Sequence, residues 1–147
     1  MFFGRLRGAG RKAIHSILVV EDEPLVAFDN EHALEQAGFR IAATVEDYDH
    51  AVAVIETGGV DLIVADVHLH GEKTGIDLAR HAGQHGLPVL FVTGACPAHA
   101  RDLAMGCLSK PYAPRDLVGA INLVDAVLRG GARPRAPAGF HLFADAR

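Results

Sequence analysis

Four short apolar runs, each ending in polar residues, constrain this chain more than any other feature. Residues 17–20 (Ile-Leu-Val-Val) stop at Glu21 and Asp22, 62–65 (Leu-Ile-Val-Ala) at Asp66, 89–92 (Val-Leu-Phe-Val) at Thr93, and 107–109 (Cys-Leu-Ser) at Lys110. Continuous apolar runs of this length bounded by polar residues are predicted to be parallel strands buried on both faces. Open parallel sheets bind ligands beyond the carboxyl ends of their strands, so the polar residues at these four ends form the candidate functional set.

The intervening segments carry helical signals. Pro24 suits a first helical position, and Leu25, Phe28, Ala33, Leu34 and Ala37 are expected to face the sheet before Gly38 stops the helix. A weaker strand at 41–43 precedes a helix near 47–57 carrying Ala51, Val52, Val54 and Ile55, closed by Gly58 and Gly59. After the third strand a loop from His68 to Gly75 leads into a helix through Ile76, Ala79 and Ala82 that ends near Gly86. A short helix over about 97–104 precedes the fifth strand. Pro114 opens a last helix, where Leu117, Ala120, Ile121, Val124, Val127 and Leu128 form a helical stripe. Alternating strands and helices predict right-handed crossovers and an α/β fold: a five-stranded parallel sheet with helices on both faces.

With 147 residues, half of them hydrophobic, the chain is long enough for one domain with a substantial core, and no apolar run approaches membrane-spanning length. Three segments are expected: a basic, loosely ordered extension over 1–15, a folded domain over 16–128, and a flexible Gly/Pro/Ala-rich tail over 129–147, in which Phe140, Leu142 and Phe143 are the candidates for docking. The net charge of −4 is unevenly spread: residues 16–128 hold six cations against seventeen carboxylates, a formal −11. Such a body repels a nucleic-acid backbone and suits a divalent cation. Two cysteines, Cys96 and Cys107, have neither the number nor the spacing of a disulfide framework or zinc cluster, so buried free thiols in a reducing cytoplasm are expected.

If the strand order is 2-1-3-4-5, Glu21, Asp22 and Asp66 converge where strands one and three diverge. Carboxylates crowded in one pocket repel, and a hard cation with oxygen ligands offsets them, Mg2+ being favoured where phosphate also binds. A carboxylate can accept a phosphoryl group as a nucleophile when metal and cationic side chains offset the transferring charge. Asp66 is placed for that role, Lys110 supplies a point charge opposite, and the Thr93 hydroxyl can donate to a phosphoryl oxygen. A hydrogen bond to a charged group is worth about 1.5–3 kcal/mol, enough to shift a two-state loop roughly ten- to a hundredfold.

In the segments at 17–23, 62–66, 91–94 (Phe-Val-Thr-Gly) and 109–112 (Ser-Lys-Pro-Tyr), all in family order, the chain resembles the receiver domain of two-component response regulators over about 16–128. The resemblance implies a flavodoxin-like receiver fold with Asp66 as phosphoacceptor and Glu21 and Asp22 as the acidic pair. It makes Thr93 and Lys110 the switch and charge-neutralising residues, adds the His68 main-chain carbonyl to the Mg2+ shell, and puts a cis bond before Pro111. It also implies a histidine kinase or histidine phosphotransfer protein as donor and a downstream protein target. The acidic body and the lack of a long apolar stretch give the expectation of a cytoplasmic location with no membrane or nucleic-acid partner, and the last helical stripe is expected to serve the core first, with a homodimer through the fourth and fifth helices as the alternative. No enzymatic turnover is expected beyond self-catalysed phosphoryl acceptance and autodephosphorylation. One position departs: where the family carries Tyr or Phe on strand five, this chain has Cys107, so coupling by an aromatic rotamer is replaced by an expectation of signalling through the loop at 94–99. Phe91 to Gly94 without a strand-five aromatic partly resembles a stand-alone subgroup with Phe-Ala-Thr-Gly there.

The leading expectation is therefore a stand-alone receiver. A receiver-fold module that binds protein without phosphorylation, and a phosphate sink for a kinase, are the alternatives. Haloacid dehalogenase-like phosphatases place a second Asp two residues after the nucleophile, where this chain has His68. Two histidine pairs, His68 with His70 and His81 with His85, lack a third ligand and are expected to be surface residues.

Overall fold

The structure, a computed structural model, describes residues 11–143. The expected alternation is present: β1 (Ser16–Val20), α1 (Pro24–Gln36), β2 (Arg40–Val45), α2 (Tyr48–Thr57), β3 (Leu62–Ala65), α3 (Gly75–Gln84), β4 (Val89–Thr93), a 3-10 helix (Ala98–Leu103), β5 (Gly106–Ser109), α4 (Pro114–Arg129) and β6 (Phe140–Leu142). The sheet order is β2-β1-β3-β4-β5-β6, with the first five strands parallel. Every residue of β1, β3 and β4 is buried, as continuous apolar runs require when both faces are covered. Alternate residues serve opposite faces. Ile17, Val19, Leu62, Val64, Leu90, Val92 and Leu108 pack with Leu34 of α1 and Leu117, Ile121 and Val124 of α4. Leu18, Val20, Ile63, Ala65, Phe91 and Cys107 pack with Ala51 and Ile55 of α2 and Leu78, Ala79 and Ala82 of α3.

Three features correct the sequence expectations. The sheet has six strands, not five: β6 pairs antiparallel with β5, in the register Gly106↔Leu142, Cys107↔His141 and Leu108↔Phe140. Gly106 makes this docking geometrically feasible, since a Cβ there would lie 2.7 Å from the His141 carbonyl oxygen. Phe140 and Phe143 bury their rings on opposite faces of the sheet, and the Arg101 guanidinium lies 5.1 Å above the Phe143 ring. Secondly, Leu25 and Phe28 do not face the sheet; they are 80 % and 65 % exposed, and the inward stripe of α1 is Ala27, Asn30 and Leu34. Thirdly, Cys96 and Cys107 are not free thiols but a disulfide, Cα–Cα 6.1 Å, closing the β4–β5 crossover.

Of the basic extension expected over 1–15, residues 1–10 lie outside the described residues. Ile14 is fully buried, and the Ala13 and Ile14 N–H groups donate to Asp125 on α4. Asp61 likewise accepts from the His15 and Ser16 N–H groups, both at 2.9 Å, which fixes where β1 begins. Among the described residues no helix is long and apolar enough to cross a membrane.

Candidate functional site

Because β1 lies between β2 and β3, the chain leaves β1 toward one side and returns on the other, opening a crevice beyond the carboxyl ends of β1 and β3. Glu21 and Asp66 both lie there as the next residue after their strand, and both are buried, at 2 % and 6 % exposure. Lys110 follows β5 directly and reaches back across the crevice. Its Nζ donates to Asp66 Oδ2 at 2.8 Å and to Glu21 Oε1 at 2.9 Å, and lies 3.8 Å from Glu23 Oε1. The second oxygens are also held: Asp66 Oδ1 accepts from the His68 N–H at 3.1 Å, and Glu21 Oε2 from the Glu23 N–H at 3.1 Å.

Glu21, Asp22, Glu23 and Asp66 offer oxygen atoms within 4.8 Å of one another. Four carboxylates against one ammonium leave strong local negative charge, and an all-oxygen donor set of this kind fits a hard divalent cation such as Mg2+. Burial raises the Glu21 carboxyl above its ordinary 4.5, with Lys110 opposing and Asp66 adding to the rise. For Lys110, burial works against the charged form, but its hydrogen bonds to Asp66 and Glu21 outweigh that and hold the pKa above the ordinary 10.5. The ammonium is therefore a fixed charge at any working pH. Thr93 closes β4 opposite β5 residue Ser109; it is fully buried, its carbonyl accepts from the Lys110 N–H at 2.8 Å, and its hydroxyl accepts from the Ala95 N–H at 3.5 Å. The Lys110–Pro111 peptide bond is cis.

The crevice thus gathers Glu21, Asp22, Asp66 and Lys110, with the His68 backbone bound to Asp66. Three contributors have no sequence signal that singles them out. Glu23 joins the acidic group. His70 Nε2 lies 3.5 Å from Asp22 Oδ2, brought there by a bridge between residues 47 and 70. Gly75, the first residue of α3, sits against the Asp66 main chain: a Cβ there would overlap the Asp66 carbonyl oxygen and lie 2.9 Å from the Val67 Cα. Gly75→Ala is expected to cost about 2 kcal/mol, because the overlap is with backbone and one of the two segments has to shift. A urea unfolding midpoint indistinguishable from that of the parent would contradict this. Nearby, Tyr112 donates its hydroxyl to Asn30 Oδ1 at 2.7 Å, tying the segment after the cis bond to α1, and burial pushes the phenol up to about 12.

A parallel α/β sheet with a carboxylate cluster at its switch point and a lysine spanning it is a flavodoxin-like fold with a pocket suited to a divalent cation and a phosphoryl group. The model of the response regulator receiver domain matches residues 17–122, and the chain belongs to that family. It is 36 % identical over 117 residues to the transcriptional activator protein IrlR of Burkholderia pseudomallei, covering 78 % of this chain and 51 % of that protein. It is 33 % identical over 113 residues to the transcriptional regulatory protein PdtaR of Mycobacterium tuberculosis, covering 73 % and 55 %. The chain therefore spans about half the length of the curated relatives it matches. Among solved structures, a CheY-like receiver domain protein from Methanospirillum hungatei has the same fold, with TM-score 0.69 at 24 % identity over 80 % of this chain and 99 % of that one. A putative response regulator from Chloroflexus aurantiacus matches with TM-score 0.68 at 27 % identity, over 77 % and 98 %.

Proposed function

We propose that this receiver takes a phosphoryl group from a phosphohistidine on a sensor kinase or phosphotransfer protein onto Asp66, and that the acyl phosphate alters a protein-binding surface. The observation that carries the reading is the pair of contacts from Lys110 Nζ to Asp66 and Glu21, which puts a permanent cation beside the nucleophile in a buried acidic pocket. In the transfer, an Asp66 carboxylate oxygen attacks phosphorus, the P–N bond breaks, and the imidazole leaves with the bonding pair. Lys110 offsets charge on the transferring group, and the Thr93 hydroxyl donates to a phosphoryl oxygen once one is present. Mg2+ would be held by Glu21, Asp22, Asp66 and the His68 main-chain carbonyl; when bound it neutralises phosphoryl charge. Water later cleaves the acyl phosphate, so the protein turns over its own label and is not an enzyme toward other substrates.

The same reading has the protein act alone in the cytoplasm, with its downstream partner, or a second copy, meeting the face that carries the 3-10 helix and α4. A phosphorylation-independent binding module is the second reading; a phosphate sink shares the phosphoacceptor chemistry of the first. The module is favoured by Cys107, a residue tied into a disulfide at the position where the family carries a mobile aromatic. Titration with beryllofluoride in the presence of magnesium separates the two. Saturable amide shifts at Thr93 and Lys110, absent with magnesium alone, are expected of a phosphoacceptor, and a spectrum that does not respond rejects it.

A further inference from the structure

We propose that Cys96 and Cys107 are a reversible thiol–disulfide pair that clamps the β4–β5 crossover, and that its redox state decides whether the crossover can answer events at Asp66. The second half of this statement rests on the phosphoacceptor reading; the first does not. The disulfide links positions eleven apart in sequence and encloses the crossover from residue 97 onward, including the 3-10 helix. Each cysteine stands three residues from a site residue, Cys96 after Thr93 and Cys107 before Lys110, and the Thr93 carbonyl is bonded to the Lys110 N–H. The crosslink therefore ties the loop that follows Thr93 to the strand that leads into Lys110.

Little else holds the start of this crossover. Gly94 and Ala95 are exposed, the Ala95 N–H meets the Thr93 hydroxyl at a long 3.5 Å, and the 3-10 helix is broken by non-helical backbone at Ala100. Cys107, by contrast, is fixed: it is fully buried in β5 between Phe91 of β4 and His141 of β6. Bonding a weakly held loop to a rigid strand removes the loop's freedom at one point, next to Thr93. Cutting the bond returns it.

The two sulfurs differ in access in the way an exchangeable pair requires. Cys96 is half-buried, its Sγ 3.7 Å from Ser109 Oγ, whereas the β6 strand helps to seal Cys107. A small thiol therefore attacks the Cys96 sulfur; the S–S bond breaks and Cys107 leaves as thiolate and takes a proton. A second small thiol attacks the mixed disulfide, releasing Cys96 as a thiol and a small-molecule disulfide. Two small thiols are oxidised as the protein pair is reduced, and a small-molecule disulfide reverses the sequence. In a cytoplasmic protein, a disulfide is of the transient, redox-sensing kind.

The test uses the full chain equilibrated with oxidised or with reduced glutathione, followed by hydrogen exchange of residues 94–104 with and without beryllofluoride and magnesium. Reduction is expected to speed exchange of the crossover about tenfold or more while β1 and β3 stay protected. Beryllofluoride is expected to change exchange there only in the reduced protein. Cys96→Ser, which leaves the buried strand intact, is expected to behave as the reduced protein in both buffers. Equal exchange in the two buffers, or a beryllofluoride response of the same non-zero size in both redox states, overturns the clamp. A redox-dependent crossover with no beryllofluoride response in either state upholds the clamp and rejects the phosphoacceptor reading instead.

Discussion

Asp66→Ala is expected to abolish covalent labelling by a small acyl phosphate donor while leaving the fold intact. The loss should be complete, because the acidic neighbours are not equivalent nucleophiles. Glu21 is clamped between the Lys110 ammonium and the Glu23 N–H and is less exposed than Asp66; Asp22 faces His70. The fold survives because removing Asp66 costs Lys110 one of its two short ion pairs but keeps the 2.9 Å contact to Glu21, and it also relieves repulsion among four carboxylates. The His68 N–H also loses its acceptor, and these effects oppose one another, so the variant is expected to remain folded in the absence of urea. Quantified incorporation of phosphate that is released by hydroxylamine reads the label, and a urea melt of the same sample reads the fold. Equal labelling of parent and variant would reject Asp66 as acceptor; a variant that is unlabelled but unfolded is ruled out by the melt.

The parts of this site that were legible in the sequence share one property: each follows a strand whose apolar run is long enough to announce itself. Glu21, Asp66 and Lys110 are the first polar positions after β1, β3 and β5, and parallel order then forces them to one edge of the sheet. The chemistry was readable because the topology leaves those ends no other place to go. The same logic locates the switch point, since it depends only on β1 being flanked by β2 and β3.

What stayed hidden depends on contacts between segments distant in sequence. β6 has three residues, one of them the exposed His141, and its rings gain a partner only because Gly106 leaves β5 open to close approach. Two cysteines carry no pairing signal until β4 and β5 are adjacent with Phe91 opposite Cys107. On α1 the apolar pattern was misleading: the inward position between Ala27 and Leu34 is Asn30, whose carbonyl accepts from Tyr112, while Leu25 and Phe28 turn to solvent. A polar residue on the buried face looks like a surface position until its partner across the crevice is known. Gly75 reads as an ordinary loop end, and only the close packing of α3 on the Asp66 main chain gives it a reason.

Asp125→Ala is expected to destabilise the domain by about 3 kcal/mol at pH 7, although the residue lies outside the phosphoryl site. Asp125 is 3 % exposed on α4, and its carboxylate accepts from the Ala13 and Ile14 N–H groups and from Arg129 Nε at 2.8 Å. Alanine leaves two backbone donors without this partner just where buried Ile14 leads into β1, a central strand of the sheet. Hydrogen bonds to a charged group are worth about 1.5–3 kcal/mol each, and three that share one acceptor are not additive, which sets the total. The pH dependence carries the sign. Burial opposes the charged form, but Arg129 and the two N–H groups outweigh it and hold the Asp125 pKa below the ordinary 3.8. Its contribution is therefore present above 3.8 and is lost as pH falls through the folded value. Glu21 runs the other way: its folded pKa is raised, so its contribution is full below 4.5 and is lost as pH rises through the folded value. Urea melts of parent and Asp125→Ala across the acid range should give a gap that is constant near neutrality and closes only below pH 3.8, leaving the Glu21 limb unchanged in both proteins. Coincident midpoints at pH 7, or a gap that closes above pH 4.5, would remove Asp125 from the anchor of β1.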